Sequence, residues 1–241
     1  MPDSHAPAPA SSAAEPDLGY RAKGFYYGGK WEAPATSNTF VSTSPSTGKL
    51  LATVPLAGAE DVDRAVKAAA KGFGEWRKVS PKERAKCMEA FAARIRTHAK
   101  ELALIDCVDS GNALVGMEGD MHWTADSLDY FAGMITEVKG ETSSQGPRHL
   151  NLLTRQPYCV VAKLNAFNHP FRFCAEKAAA PLAAGNCVVI KSSEQAPISS
   201  FRLAELADGL FPAGVVNVVA RDGKTGAALV AHPLVSRVGF I

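Results

Sequence analysis

Cys187-Val-Val-Ile190 sets four apolar residues in a row, with no polar one to turn toward water. A strand of that kind has to be covered on both faces, as in a parallel sheet lying between layers of helix. The flanking sequence supplies those layers. Upstream, Cys159-Val-Val-Ala-Lys-Leu164 reads as a strand, and Phe171 to Ala184 reads as a helix stopped by Gly185. Downstream, Ile198 to Leu210 reads as a helix with Leu203, Leu206 and Leu210 inward. Val215-Val-Asn-Val-Val219 is then a strand, Gly223 to Ala231 a short helix, and Val235 to Ile241 a buried strand at the chain end. Unalternating strands separated by helices predict an α/β fold with right-handed crossovers. Such sheets take ligands outside the carboxyl ends of their strands, which singles out the segments after Leu164, Ile190 and Val219.

Toward the N-terminus the pattern changes. Phe25-Tyr-Tyr27, the turn pair Gly28-Gly29 and Lys30-Trp31 read as extended chain around a turn, and Thr39-Phe-Val-Ser-Thr43 leads into the turn Pro45-Ser-Thr-Gly48. From Glu60 the apolar period becomes helical, with Val62, Ala65, Val66, Ala69 and Phe73 on one face. Ser80-Pro81-Lys82-Glu83 is a capping box that starts a helix with Ala85, Met88, Ala92 and Ile95 inward. Leu102, Ile105 and Val108 continue that face until Gly111. A further helix spans Met117 to about Val138, and residues 140–158 read as polar hairpin material.

Composition narrows the function classes. The 241 residues are 46% hydrophobic and 21% charged with a net charge of +2, which suits a soluble globular chain and gives no reason to expect a nucleic-acid or membrane-surface partner. No apolar run approaches the roughly 18 residues of a membrane span. The five cysteines are odd in number and widely spaced, without a C-x-x-C pair. They read as reduced core thiols rather than disulfides or metal ligands, and no metal is expected. Residues 1–19, rich in Ala, Pro and Ser with no basic or apolar leader, read as a disordered tail. Reduced thiols and no export signal predict a cytoplasmic location. The strand at the chain end, with no turn after it, suggests a truncated frame or a fragment.

Each of the three strand-end segments carries polar groups suited to a nucleotide or a carbonyl compound: Asn165-Ala-Phe-Asn-His-Pro170, Lys191-Ser-Ser-Glu-Gln-Ala-Pro197 and Ala220-Arg-Asp-Gly-Lys-Thr-Gly226. Singly they are weak. Together, and with Ala180-Pro-Leu-Ala-Ala-Gly-Asn186, Val188-Val-Ile-Lys-Ser-Ser-Glu194, Phe211-Pro-Ala-Gly-Val-Val-Asn-Val-Val219 and His232-Pro233, the chain resembles the NAD(P)-dependent aldehyde dehydrogenase superfamily. Ser44-Pro-Ser-Thr-Gly48, Glu60-Asp-Val-Asp63 and Trp76 extend the resemblance upstream to about residue 24.

The resemblance implies a Rossmann-type sheet over residues 159–241, preceded by strands and helices of the same cofactor-binding domain over 20–139. It also implies an oligomerisation hairpin over 140–158. It implies oxidation of a small-molecule aldehyde by NAD(P)+ in a homo-oligomer. In members of that family a cysteine thiolate attacks the aldehyde, hydride leaves to the cofactor, and a glutamate-activated water cleaves the thioester. Asn168 matches the family's oxyanion-donor asparagine, with capping of the following helix as its plainer role. Lys177 matches a lysine kept near the site, with a solvated helix charge as the alternative. Asn165, Ala166, Phe167 and Ser193 fall among the cofactor-contacting positions. Lys191 and Glu194 match the pair that contacts the adenosine ribose, and a carboxylate there favours NAD over NADP. Gly223 and Gly226 fit two glycines of the phosphate loop, whereas Arg221 replaces the first. The nucleophile and the base glutamate have no counterpart here, and Cys174 is assigned to the core. A catalytically silent nucleotide-binding or assembly module on the same scaffold, or a non-functional truncated product, are the competing readings.

Overall fold

The computed structural model describes residues 23–220 and 222–241 together with Pro16, Leu18 and Tyr20. The rest of the tail expected over 1–19, and Arg221, lie outside the described residues. Leu18, which composition alone puts in the tail, packs partly buried against the core.

The N-terminal half opens with a hairpin of β1 (Phe25–Tyr27) and β2 (Lys30–Glu32), and a second hairpin of β3 (Thr39–Thr43) and β4 (Leu50–Pro55) follows. Four helices come next: α1 (Ala59–Trp76), α2 (Pro81–Thr97), α3 (Ala99–Ser110) and α4 (Leu114–Met134). The Ser80 hydroxyl accepts from the Glu83 amide at 3.2 Å, with Pro81 in the first turn, so the capping box starts α2 as its sequence requires. The helical pattern from Ser80 to Gly111 is broken at His98, which ends α2 and precedes α3. Gly111 then stops α3 with a left-handed φ of 80°. On α3 the inward face belongs to Leu102, Ile105, Asp106 and Asp109, whereas Val108 is only partly buried. β5 (Glu141–Ser144) and β6 (Leu150–Leu153) form an antiparallel hairpin in which every residue is exposed.

The second half alternates β7 (Val160–Leu164), α5 (Pro170–Ala183), β8 (Cys187–Ser192), α6 (Ile198–Ala207), β9 (Val216–Ala220), α7 (Gly223–Val230) and β10 (Val235–Phe240). All residues of β8 and β9 are buried, as a doubly covered strand demands. The six-stranded sheet has the order β10-β7-β8-β9-β1-β2. β10, β7, β8 and β9 run parallel, while β1 joins β9 antiparallel and brings the first hairpin into the same sheet. Helices α1 and α7 contact the strands as one set; α5 and α6 form another, with α2, α3 and α4 stacked beyond them.

β10 corrects one expectation. Among the described residues it lies at the edge of the sheet, and most of its residues are exposed, Phe240 at 79%. An apolar run shows that a strand forms but not how many neighbours it has. The order of the parallel strands reverses between β7 and β10, and a switch of that kind opens a crevice at the carboxyl ends.

Candidate active site and cofactor cleft

At the end of β7, Asn165 is buried and its amide Nδ2 lies 3.3 Å from Cys174 Sγ, while its Oδ1 is sealed from water with no partner. Its backbone N–H donates to the Lys191 carbonyl at 3.2 Å, tying the β7 end to that of β8. Ala166 follows, partly buried, and Phe167 and Asn168 are exposed.

Asn168 does not cap α5. The N-cap position is His169, and the Phe171 N–H in the first turn donates to Asp106 Oδ2 at 3.0 Å. A carboxylate brought in by α3 thus displaces the local capping preference of asparagine. The Asn168 carbonyl instead accepts from Asn112 Nδ2 at 2.6 Å. His169 is a packing and hydrogen-bonding residue: Nδ1 lies 2.5 Å from Asp120 Oδ2, and its ring meets Phe173 edge-on at 5.4 Å.

Behind Asn168 runs a chain of ion pairs. Asp120 also takes Arg172 at 3.0 Å, Arg172 takes Glu176 at 2.7 Å, and Glu176 takes Lys177 at 3.1 Å. Burial alone would raise the Glu176 carboxyl, but Arg172 and Lys177 outweigh it and hold the group below its ordinary value. Lys177 is therefore a paired residue on α5, its ammonium 5.9 Å from the Phe173 ring centre. No hydrogen bond joins it to Asn168 among the described residues.

The end of β8 is built differently. Lys191 is buried, and its Nζ reaches Glu194 Oε2 at 3.2 Å, with the Glu194 side chain 45% exposed. Ser193 is buried, and its Oγ accepts from the Gln195 amide at 3.2 Å. A cleft of about 460 Å³ opens beside this loop, with Phe167, Glu194 and Gln195 on one wall and Val41, Ser42 and Thr43 on another.

At the end of β9 the two glycines differ. A Cβ on Gly226 would come within 3.1 Å of Leu164 Cδ2, so this glycine lets α7 settle on β7. A Cβ on Gly223 would meet nothing within 4 Å, and no crowding requires glycine there. The Asp222 side chain caps α7 by accepting from the Lys224 amide at 2.9 Å.

The structure thus joins Lys191 to Glu194, places Phe167 on the same cleft, and ties Asn165 to the Lys191 backbone. It also shows residues that the sequence pattern missed. Asp106 and Asp109 sit side by side on α3; the second accepts from the Ile198 amide at 2.9 Å and from Ser42 at 2.5 Å, so it caps α6. Burial pushes Asp106 up to about 7 and Asp109 up to about 6. The available signal was their spacing: carboxylates at the inward positions of an otherwise apolar helix face. Cys174 is 1% exposed and burial pushes its thiol up to about 12, which leaves it a neutral core group.

The aldehyde dehydrogenase family model matches residues 31–241. An aldehyde dehydrogenase of Talaromyces stipitatus is 43% identical over 220 residues, 90% of this chain and 42% of that protein. A betaine aldehyde dehydrogenase of Vibrio vulnificus is 36% identical over 217 residues, 89% of this chain and 45% of that protein. Among solved structures, the NAD+ complex of aldehyde dehydrogenase from Bacillus cereus superposes with a TM-score of 0.89 at 34% identity, covering 93% of this chain and 46% of that one. Lactaldehyde dehydrogenase from Escherichia coli superposes at 0.87 with 30% identity, covering 90% and 46%. The chain therefore spans a little under half the length of these relatives. With the switched parallel sheet and this agreement over nearly all of its length, the chain belongs to the aldehyde dehydrogenase family.

Proposed function

We propose that this chain is the cofactor-binding part of an enzyme that oxidises an aldehyde to a carboxylic acid with NAD(P)+ as acceptor. The observation that carries this reading is the Lys191–Glu194 pair at the carboxyl end of β8, opening on a cleft in a sheet of this family. The donor set fits a dinucleotide. Glu194 offers exposed carboxylate oxygens to a ribose diol, Lys191 offers an ammonium already desolvated and oriented, and the unpartnered Asn165 Oδ1 is an acceptor in need of a donor. Ser193, Ala166, Phe167 and the Gly223–Gly226 turn complete the proposed cofactor contacts. When bound, NAD(P)+ supplies the hydride acceptor.

For the substrate, the exposed Asn168 amide is the donor for the oxygen that gains charge as a nucleophile adds to the carbonyl, and Lys177 lies on α5, the helix that follows it. Cys174 cannot be that nucleophile, because its thiol stays protonated in the core. The exposed leucines of the hairpin, Leu150, Leu152 and Leu153, support contact with a second copy of the chain. The protein is assigned to the cytoplasm on its five unpaired cysteines.

Titration of the 241-residue protein with NAD+ and NADP+ tests the reading. NAD+ should bind about tenfold tighter, equivalent to roughly 1.4 kcal/mol, because Glu194 faces two hydroxyls in one case and a phosphate in the other. Glu194→Gln should narrow the gap, mainly by improving NADP+. Binding of neither cofactor would overturn the proposal, and equal affinities would leave Glu194 a solvated loop charge.

A further inference from the structure

Lys163 stands on β7, two residues before Asn165, with Ile190 beside it on β8 and Gly239 on β10. Leu164 meets Gly226 of α7, so strand alternation turns Lys163 to the opposite face, toward α5. Its ammonium lies across the neighbouring strand: a Cβ on Gly239 would come within 2.5 Å of Lys163 Nζ. Glycine at 239 is what leaves that space open.

The other two lysines of the site have carboxylate partners, Lys191 at 3.2 Å and Lys177 at 3.1 Å. Lys163, partly buried, has no carboxylate and no hydrogen-bond partner among the described residues. The charged groups that face it are Arg237 from β10 and Lys177 from α5, both cations. Burial, and then those two charges, push the Lys163 ammonium below its ordinary value. A lysine that is desolvated and set beside other cations has the environment that turns an ammonium into a usable amine.

We infer that Lys163 is an amine nucleophile that condenses reversibly with an aldehyde, its Nζ lying over Gly239 of β10. The Nζ lone pair bonds to the carbonyl carbon, and the proton lost from nitrogen goes to the carbonyl oxygen. The resulting carbinolamine expels that oxygen as water to give an imine. Addition of water reverses both steps, and no oxidant or reductant enters. The imine would hold the aldehyde carbon on the strand that leads to Asn168. Aldehyde as the ligand class rests on the function proposed above.

The test is reductive trapping. The 241-residue protein is incubated with propionaldehyde and cyanoborohydride at pH 7.5, and the propylated lysines are mapped by mass spectrometry against time. Lys163 should be labelled several-fold faster than exposed lysines, because a lowered pKa leaves more of it as free amine at that pH. Gly239→Ala, which displaces the ammonium head and leaves the lysine in place, should bring Lys163 down to the rate of the others. Even labelling in the wild type, or fast labelling that persists in Gly239→Ala, would overturn the inference. Cofactor titration of the same preparation separates the two proposals. NAD+ binding with even labelling removes the role of Lys163 alone. Selective labelling without NAD+ binding removes the cofactor reading and leaves the amine.

Discussion

At the carboxyl end of β8 the two charged groups on the cleft are three residues apart and neutralise each other. At the end of β7 the anchors come from far along the chain: Asn112 from 56 residues away, Asp106 from 65 and Asp120 from 49. In the first, the charged pair comes from the loop's own sequence and only the helix start beyond it is tied to α3, through Asp109; the second is held throughout by the corner where α3 meets α4. The first should therefore respond to substitution locally. The second should lose its shape whenever a distant buried bond is removed.

The comparison breaks most sharply on chemistry. In a longer protein that joins this segment to a nucleophile, the role proposed for Asn168 predicts that Asn168→Ala lowers kcat by about 10²–10³-fold with little change in NAD+ affinity. Steady-state kinetics beside cofactor titration checks the split, and a near-normal kcat would remove Asn168 from the reaction.

Next in size is the buried anchor. Asp106→Ala strips the Phe171 N–H of its acceptor and should cost about 2 kcal/mol in urea unfolding. Asp106→Asn keeps an acceptor and should cost less than half as much. On the other loop, Glu194→Gln should cost less than about 1 kcal/mol, since that pair is partly solvated. Equal losses from Asp106→Ala and Glu194→Gln would erase the contrast between the two ends. Asn112→Ala should cost about 1 kcal/mol and speed hydrogen exchange of the amides at 166–169, leaving those at 192–195 unchanged.

The last expected effect is in pH. Asp106 binds its proton more tightly in the folded chain, up to about 7, than at its ordinary value of 3.8. Between those values the native state holds more protons than the unfolded one, so this carboxyl makes stability fall as pH rises from about 4 to about 7. Asp109, pushed up to about 6, acts in the same direction over a narrower window. Asp106→Asn should flatten the slope of unfolding free energy against pH. An unchanged slope would mean that burial does not perturb this group.

The sequence discloses what depends on near neighbours. The buried strands, the Ser80 capping box and the stops at Gly111 and Gly185 follow from local chemistry, and so does the pairing of Lys191 with Glu194 once the loop turns. Partners chosen by tertiary contact stay hidden. β4 forms because β3 lies beside it, and nothing in Leu50-Leu-Ala-Thr-Val-Pro55 announces that pairing. Asn168 has the residue type of a cap, yet Asp106 takes the role. The exposure of β10 depends on how many strands flank it. The parts of the candidate site that could be named in advance came from the family's wording at the strand ends, whereas the carboxylates of α3 came into view only with the fold.

Asp106 and Asp109 lie on adjacent turns of one helix, and each holds the start of a different helix. The loop that ends in Asn168 and the loop that carries Glu194 are thus bolted to a common beam. The spacing between the two is set by the pitch of α3, whichever molecule occupies either one. Neither can slide past the other unless a buried bond breaks, so the distance between the proposed cofactor contact and the proposed carbonyl contact is built into the scaffold before any ligand arrives.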